Sequence, residues 1–284
     1  MNTEKAELFT PAPEWSGRSD GPGPEHARWH SVINQSTDSP APITLLGFAS
    51  DEGVLRNGGR QGAAAGPAAL RSALGSLAVH HKHALADAGT ITTQADDLDG
   101  AHDALSDKVQ KLVEAGTLPI ILGGGHETAF GSHRGLYRAV GATKIVNLDA
   151  HFDLRRADQA TSGTPFKQIS ELTDDFDYTV LGISRPNNTA VLFDEAESLG
   201  VAITLDEELV NLSPAECGEL AARATEGKDK VHLSIDLDVL PASTAPGVSA
   251  PASLGVSYER IRAMAVAIAR TGKLALVDVV ELNP

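Results

Sequence analysis

Cysteine is nearly absent from this chain of 284 residues, where Cys217 stands alone. No internal disulfide can form, and a solitary thiol suits a reducing compartment. No motif surrounds Cys217, which reads as a buried or helix-surface thiol. The first residues, Met1-Asn2-Thr3-Glu4-Lys5-Ala6-Glu7, lack the apolar stretch of a signal peptide. Nor does any apolar run approach the roughly 18 residues needed to cross a bilayer. Basic residues are scarce as well, 23 against 38 acidic ones, for a formal charge of −15. Phosphates would be repelled, so non-specific nucleic-acid binding is excluded. These absences together predict a cytoplasmic protein that acts on a small molecule, with neither nucleic acid nor membrane as partner.

Hydrophobic residues make up 42% of the chain, ample for a large core. Residues 1–42 are rich in Pro, Gly, Ser and Asp, with isolated Trp15 and Trp29, and show no apolar periodicity. They read as an N-terminal extension packed on the body. From Ile43 onward, short apolar runs alternate with helical stretches. Strands are predicted at Ile43–Ala49, Leu118–Leu122, Lys144–Leu148, Tyr178–Ile183, Val201–Thr204, Val231–Leu237 and Leu274–Val280. Helices are predicted near 66–78, 97–115, 127–140, 190–199, 213–226 and 257–271. The last of these is bracketed by a Ser start and Gly272. The strand runs are β-branched and continuous rather than alternating, as in strands buried on both faces. The chain is therefore expected to form a single doubly wound, mainly parallel α/β domain, flanked by helices.

In such sheets ligands bind beyond the carboxyl ends of the strands. Gly123-Gly124-Gly125-His126, Asp149–Asp153, Gly182–Arg185, Asp236–Asp238 and Glu281 all fall at predicted strand ends. Alternate residues of an extended chain share a side. Asp149, His151 and Asp153 can thus converge, and so can Asp236 and Asp238. Four neighbouring carboxylates would repel one another strongly unless cations neutralised them, and four negative charges match two divalent ions. The three glycines before His126 permit a sharp turn and a close approach. No Lys-Ser/Thr follows, so the turn does not match a phosphate-binding loop. An oxygen-rich donor set favours Mn²⁺ over zinc. A dinuclear metal hydrolase is the first expectation.

The segments Gly-Gly-Gly-His-Glu at 123–127, Asn-Leu-Asp-Ala-His-Phe-Asp at 147–153, Ser-Ile-Asp-Leu-Asp-Val-Leu-Pro at 234–241 and Glu-Leu-Asn-Pro at 281–284 resemble the ureohydrolase superfamily of arginases and agmatinases. Further stretches resemble its formimidoylglutamase branch. They are Trp15–Arg18, Asp51–Asn57, Ser162–Phe166 and Gly182–Arg185. The resemblance implies the arginase-like three-layer fold over 43–284, without the final C-terminal helix with which relatives continue. It also implies a homo-oligomer and two Mn²⁺ per subunit. His126 and Asp153 would serve one metal, His151 and Asp238 the other, and Asp149 and Asp236 would bridge.

The implied chemistry is attack of a metal-bridging hydroxide on an amidine carbon. Asp238 would pass a proton to the leaving nitrogen, and Glu281 would hold the cationic amidine. N-formimidoyl-L-glutamate carries two carboxylates, for which Arg155, Arg185 and Arg60 are candidate partners, with Ser162 and Asn187 as further contacts. The sequence also departs from the pattern in two places. No His accompanies Gly163, and Gly125 stands where an Asp is common. Other ureohydrolase activities releasing urea, or a catalytically silent metal-binding scaffold, are the alternative expectations.

Other clusters carry less. His80-His81-Lys82-His83 reads as a solvated loop. His133 reads as a helix-surface residue and His232 as a buried, hydrogen-bonded one. Asp96-Asp97-Leu98-Asp99 reads as an acidic helix start. Ser184 and Ser234 lack the partners of a serine nucleophile.

Overall fold

The computed structural model describes residues 8–35, 41–80 and 83–284. His81 and Lys82 of the histidine cluster lie outside the described residues, while His80 and His83 are exposed. In chain order the first elements are β1 (Phe9–Thr10), α1 (Trp29–Val32), β2 (Ile33–Asn34), β3 (Ile43–Ala49), α2 (Glu52–Arg56) and α3 (Gly66–Gly75). They are followed by β4 (Leu85–Thr92), α4 (Leu98–Glu114), β5 (Leu118–Leu122), α5 (Thr128–Val140), β6 (Lys144–Leu148), α6 (Pro165–Ser170) and β7 (Asp177–Ile183). The rest are α7 (Ala190–Ser198), β8 (Ala202–Leu205), α8 (Asp206–Leu209), α9 (Pro214–Arg223), β9 (Val231–Asp236), α10 (Tyr258–Arg270) and β10 (Leu274–Val280).

The described strands form one ten-stranded sheet in the order β1-β4-β3-β5-β10-β9-β6-β7-β8, with β2 also beside β4. Only β1 runs antiparallel to its neighbour. The long strands are buried on both faces because successive side chains enter opposite helical layers. Ile121 packs with Leu105, Val109 and Leu136 of α4 and α5. Its neighbour Ile120 packs with the cluster that holds Cys217, Ala221, Ile261, Met264 and Ile268 of α9 and α10. Cys217 is fully buried there, the first of its two expected settings.

Helix ends follow their cap chemistry. Asp97 accepts from Gly100 N–H at the start of α4, and Ser213 and Glu216 form a capping box on α9. Three strands were not anticipated: the two-residue β1 and β2, and β4, which contains Asp87 and Gly89, residues that interrupt any apolar run. Asp87 is fully buried, gripped by Arg71 at 2.7 and 2.9 Å and by Trp15 Nε1 at 2.9 Å. Those bonds pay the desolvation cost of an internal carboxylate. His133 requires a correction. It is 2% exposed, not on the surface, because its face of α5 meets β9, where its Nδ1 lies 3.1 Å from His232 Nδ1. His232 in turn reaches Asp278 Oδ2 at 2.7 Å.

The topology brings four carboxyl ends side by side at the middle of the sheet, those of β5, β10, β9 and β6. This is where a ligand crevice belongs in an open parallel sheet.

Candidate metal centre

Beyond β5 the chain turns through Gly123, Gly124 and Gly125 to reach His126. A Cβ on Gly124 would stand 1.8 Å from the Ser50 carbonyl oxygen, so only glycine permits this approach. His126 Nδ1 then lies 3.0 Å from Asp149, 2.9 Å from Asp153 and 3.0 Å from Asp236, measured to one carboxylate oxygen of each. Its other ring nitrogen, Nε2, is 3.0 Å from Ser234 Oγ, and its ring meets Phe166 edge-on. His151 Nδ1 lies 2.9 Å from Asp238 Oδ2 and 3.7 Å from Asp149 Oδ1.

Two donor groups result: His126, Asp149, Asp153 and Asp236 in one, and Asp149, His151 and Asp238 in the other. They share Asp149. Asp236 falls only in the first group, its second oxygen accepting from Asp238 N–H at 2.7 Å. The shared carboxylate is held by Asn147 Nδ2 at 2.9 Å and by His151 N–H at 2.7 Å. Such outer contacts fix the direction of a ligating oxygen.

The residues fit a cation. His126 Nδ1, Asp238 Oδ1 and Glu281 Oε2 are buried without a hydrogen-bond partner among the described residues, although buried polar atoms are nearly always paired. A ring nitrogen met by three carboxylate oxygens at contact distance is a set of converging donors, more than one N–H can serve and suited to a cation. Proton affinities agree. Burial and the neighbouring carboxylates push Asp236 well up, and burial and the charge of Asp149 raise Asp153. Burial likewise lifts Asp238 to about 7, even against the nearby His151. For His126 burial opposes the charge, yet the adjoining carboxylates of Asp149, Asp153 and Asp236 raise its pKa. His151 is raised in the same way by Asp238 and Asp149 against burial. Asp149 alone moves down, drawn below the usual carboxylate range by His126 and His151 against the effect of burial. The upward shift of the other acids and of both bases marks a crowded negative field, which divalent ions relieve. The donors are carboxylate and imidazole with no thiolate, a set suited to Mn²⁺.

His126, His151, Asp153, Asp236 and Asp238 form the floor of a cavity of about 270 Å³, together with Glu281, while Asp149 lies fully buried beneath it. Glu281 accepts from His126 N–H through Oε1 at 2.9 Å. Asp153 and Glu281 both adopt left-handed backbone, φ 51° and 67°, a conformation costly for residues with side chains and retained where geometry matters. Of the residues anticipated for substrate contact, Arg155, Ser162 and Asn187 line the cavity. Arg60 and Arg185 are not brought to its wall. Arg60 donates to the carbonyls of Pro246 and Val248, both at 2.7 Å. Arg185 lies 60% exposed, 3.4 Å from Glu207 and over the Phe193 ring.

Asn57, Gly58, Gly59, Ser249 and Ala250 also line the cavity, and sequence reasoning did not assign them there. For Asn57–Gly59 the signal was the glycine-rich stretch itself. Ser249 carried none. Glu127, next to His126, is fully buried, and burial together with the charge of Glu281 lifts its pKa to about 8.

The arginase-family sequence model matches residues 41–284. The formimidoylglutamase of Corynebacterium efficiens is 50% identical over 275 residues, covering 95% of this chain and 87% of that protein. That of Rhodococcus opacus is 46% identical over 288 residues, covering 98% and 90%. The crystal structure of Trypanosoma cruzi formiminoglutamase with Mn²⁺ superimposes with a TM-score of 0.82 at 31% identity, covering 90% of this chain and 89% of that one. Arginase from Bacillus subtilis shares the fold, with a TM-score of 0.72 at 23% identity, covering 85% and 90%.

Proposed function

This chain belongs to the arginase family, and from that premise we propose that it hydrolyses N-formimidoyl-L-glutamate to L-glutamate and formamide, in cytoplasmic histidine degradation. The observation that carries this reading is the pair of donor groups sharing the buried Asp149, whose other members line a cavity that also presents Arg155. The relatives named formimidoylglutamase, matched over nearly the whole chain, support the choice of substrate.

Two Mn²⁺ ions would be held by the six ligands His126, Asp149, His151, Asp153, Asp236 and Asp238. Bound there, they supply Lewis acidity and lower the pKa of water from about 15.7 toward 7, giving a nucleophile at neutral pH. The protein's own groups do the rest. Glu281 Oε2, buried and unpaired, accepts a hydrogen bond from the cationic amidine and orients its carbon over the floor. Asp238 Oδ1, also unpaired, takes a proton and returns it to the glutamate nitrogen as the C–N bond breaks. Arg155 faces no carboxylate among the described residues and is available to a substrate carboxylate as a planar donor pair. Ser162 and Asn187 add polar contacts. A cavity near 270 Å³ suits one small metabolite.

The test is a product assay on Mn²⁺-loaded protein with a panel of amidines and guanidines. Formamide from formimidoylglutamate, with little turnover of agmatine or arginine, is expected. Urea from agmatine without formamide would reject the substrate assignment.

A further inference from the structure

Glu127 is a buried carboxyl that none of the steps above employs. Its Oε1 accepts from the Ser50 hydroxyl and from Gly53 N–H, each at 3.0 Å. Gly53 lies in the first turn of α2, where free amide groups need an acceptor. The residue placed to cap that turn, Asp51, makes no cap bond. Its carboxylate accepts instead from Gly62 N–H at 2.7 Å. Glu127 therefore caps α2 from a distant part of the chain. Immediately beyond α2, Asn57, Gly58 and Gly59 form one wall of the cavity. Immediately before Glu127 stands His126.

The fit around this carboxyl is close. A Cβ on Gly53 would lie 2.5 Å from Glu127 Cδ, and one on Gly125 would lie 2.1 Å from Glu127 Oε2. Two glycines thus clear the slot that the side chain fills. Space-filling alone would be met by an apolar side chain without burying a carboxyl. The acceptor oxygen is what the position requires.

We propose that Glu127 is a positioning residue that fastens the cavity wall at 57–59 to the turn presenting His126, and so governs substrate affinity. This rests on the substrate reading given above. Other bonds hold the segment in outline, among them Asn57 Nδ2 to Ser162 Oγ at 3.2 Å and Arg56 to the Ala160 carbonyl at 3.2 Å. Loss of the Glu127 cap therefore loosens the wall without dissolving it.

The test compares Glu127→Ala, Glu127→Gln and Ser50→Ala in the Mn²⁺-loaded protein, by steady-state kinetics on formimidoylglutamate, metal content, and amide hydrogen exchange over 52–59. Glu127→Ala should raise KM roughly tenfold with kcat changed less than about threefold. Metal content should match the wild type, and exchange over 52–59 should quicken. Glu127→Gln keeps an acceptor oxygen and should restore both KM and exchange. Unchanged KM and exchange in Glu127→Ala would overturn the proposal, as would loss of metal and kcat at constant KM. If Glu127→Ala does not fold, Ser50→Ala decides, read at 53–59 because Ser50 Oγ itself accepts from Glu52 N–H at 3.3 Å: faster exchange there supports the fastening, and wild-type exchange refutes it. If the wild type leaves formimidoylglutamate untouched, the substrate reading fails by itself, and the exchange pattern still judges the role of Glu127.

Discussion

At Asp149 two donor groups meet, and the surrounding residues show how a few side chains set the properties of the centre. His126 spends Nδ1 on the carboxylates, so Ser234 Oγ, at 3.0 Å from Nε2, is what fixes the plane of its ring. Ser234→Ala should lower metal affinity about 10–100-fold, the usual effect of removing an outer partner, and isothermal titration with Mn²⁺ would measure it. Arg155 lines the cavity and, in the proposed reaction, pairs with a carboxylate of the substrate. Arg155→Ala should raise KM for formimidoylglutamate roughly 10–100-fold with little change in kcat, as loss of a charge-assisted pair implies. His102 gives a prediction about stability. Burial, helped by the Arg134 charge, holds its pKa at about 3, against 6.5 for the free side chain. Between those values the unfolded chain binds a proton that the fold refuses. The stability is therefore present above pH 6.5 and lost as pH falls toward 3, at up to about 1.4 kcal/mol per pH unit. Urea midpoints should decline more steeply from pH 6.5 to 5 in the wild type than in His102→Gln. An equal decline would show that the imidazole already titrates freely in the fold.

Among the elements, β3, β5, β6 and β10 have the boundaries that their continuous apolar runs predict. The strand β4 was illegible because its identity comes from elsewhere. Asp87 is tolerated there through Arg71, Trp15 and Gly89 N–H, and Gly89, at φ 94°, lets Thr10 O approach to where a Cβ would be 2.4 Å away. Removing one member of that buried ion pair strands the other. Asp87→Ala should cost about 3–5 kcal/mol and lower the denaturation midpoint accordingly. A change below about 1 kcal/mol would mean that Arg71 finds solvent or another acceptor. The helix α5 taught a related lesson. A histidine in a predicted helix read as surface at position 133, but the sheet lies against that face.

Across the whole molecule, the ligand-bearing segments were legible because their donors recur two residues apart at strand ends, a pattern that survives in one dimension. What connects those segments was not. Glu127 reaches Ser50 and Gly53, Arg60 ties down the 246–248 carbonyls, and Asn283 Nδ2 bonds the carbonyls of Arg60 and Gln61 at 3.1 and 2.9 Å. These bonds join stretches far apart in sequence, and they turn four strand ends into a walled cavity. That construction has a purpose only if cations occupy its floor. Anomalous scattering from crystals grown with Mn²⁺ decides this most directly. Two peaks are predicted, one among His126, Asp149, Asp153 and Asp236 and the other beside His151 and Asp238. A cavity floor without manganese, in crystals that bind the ion elsewhere or not at all, would contradict the account.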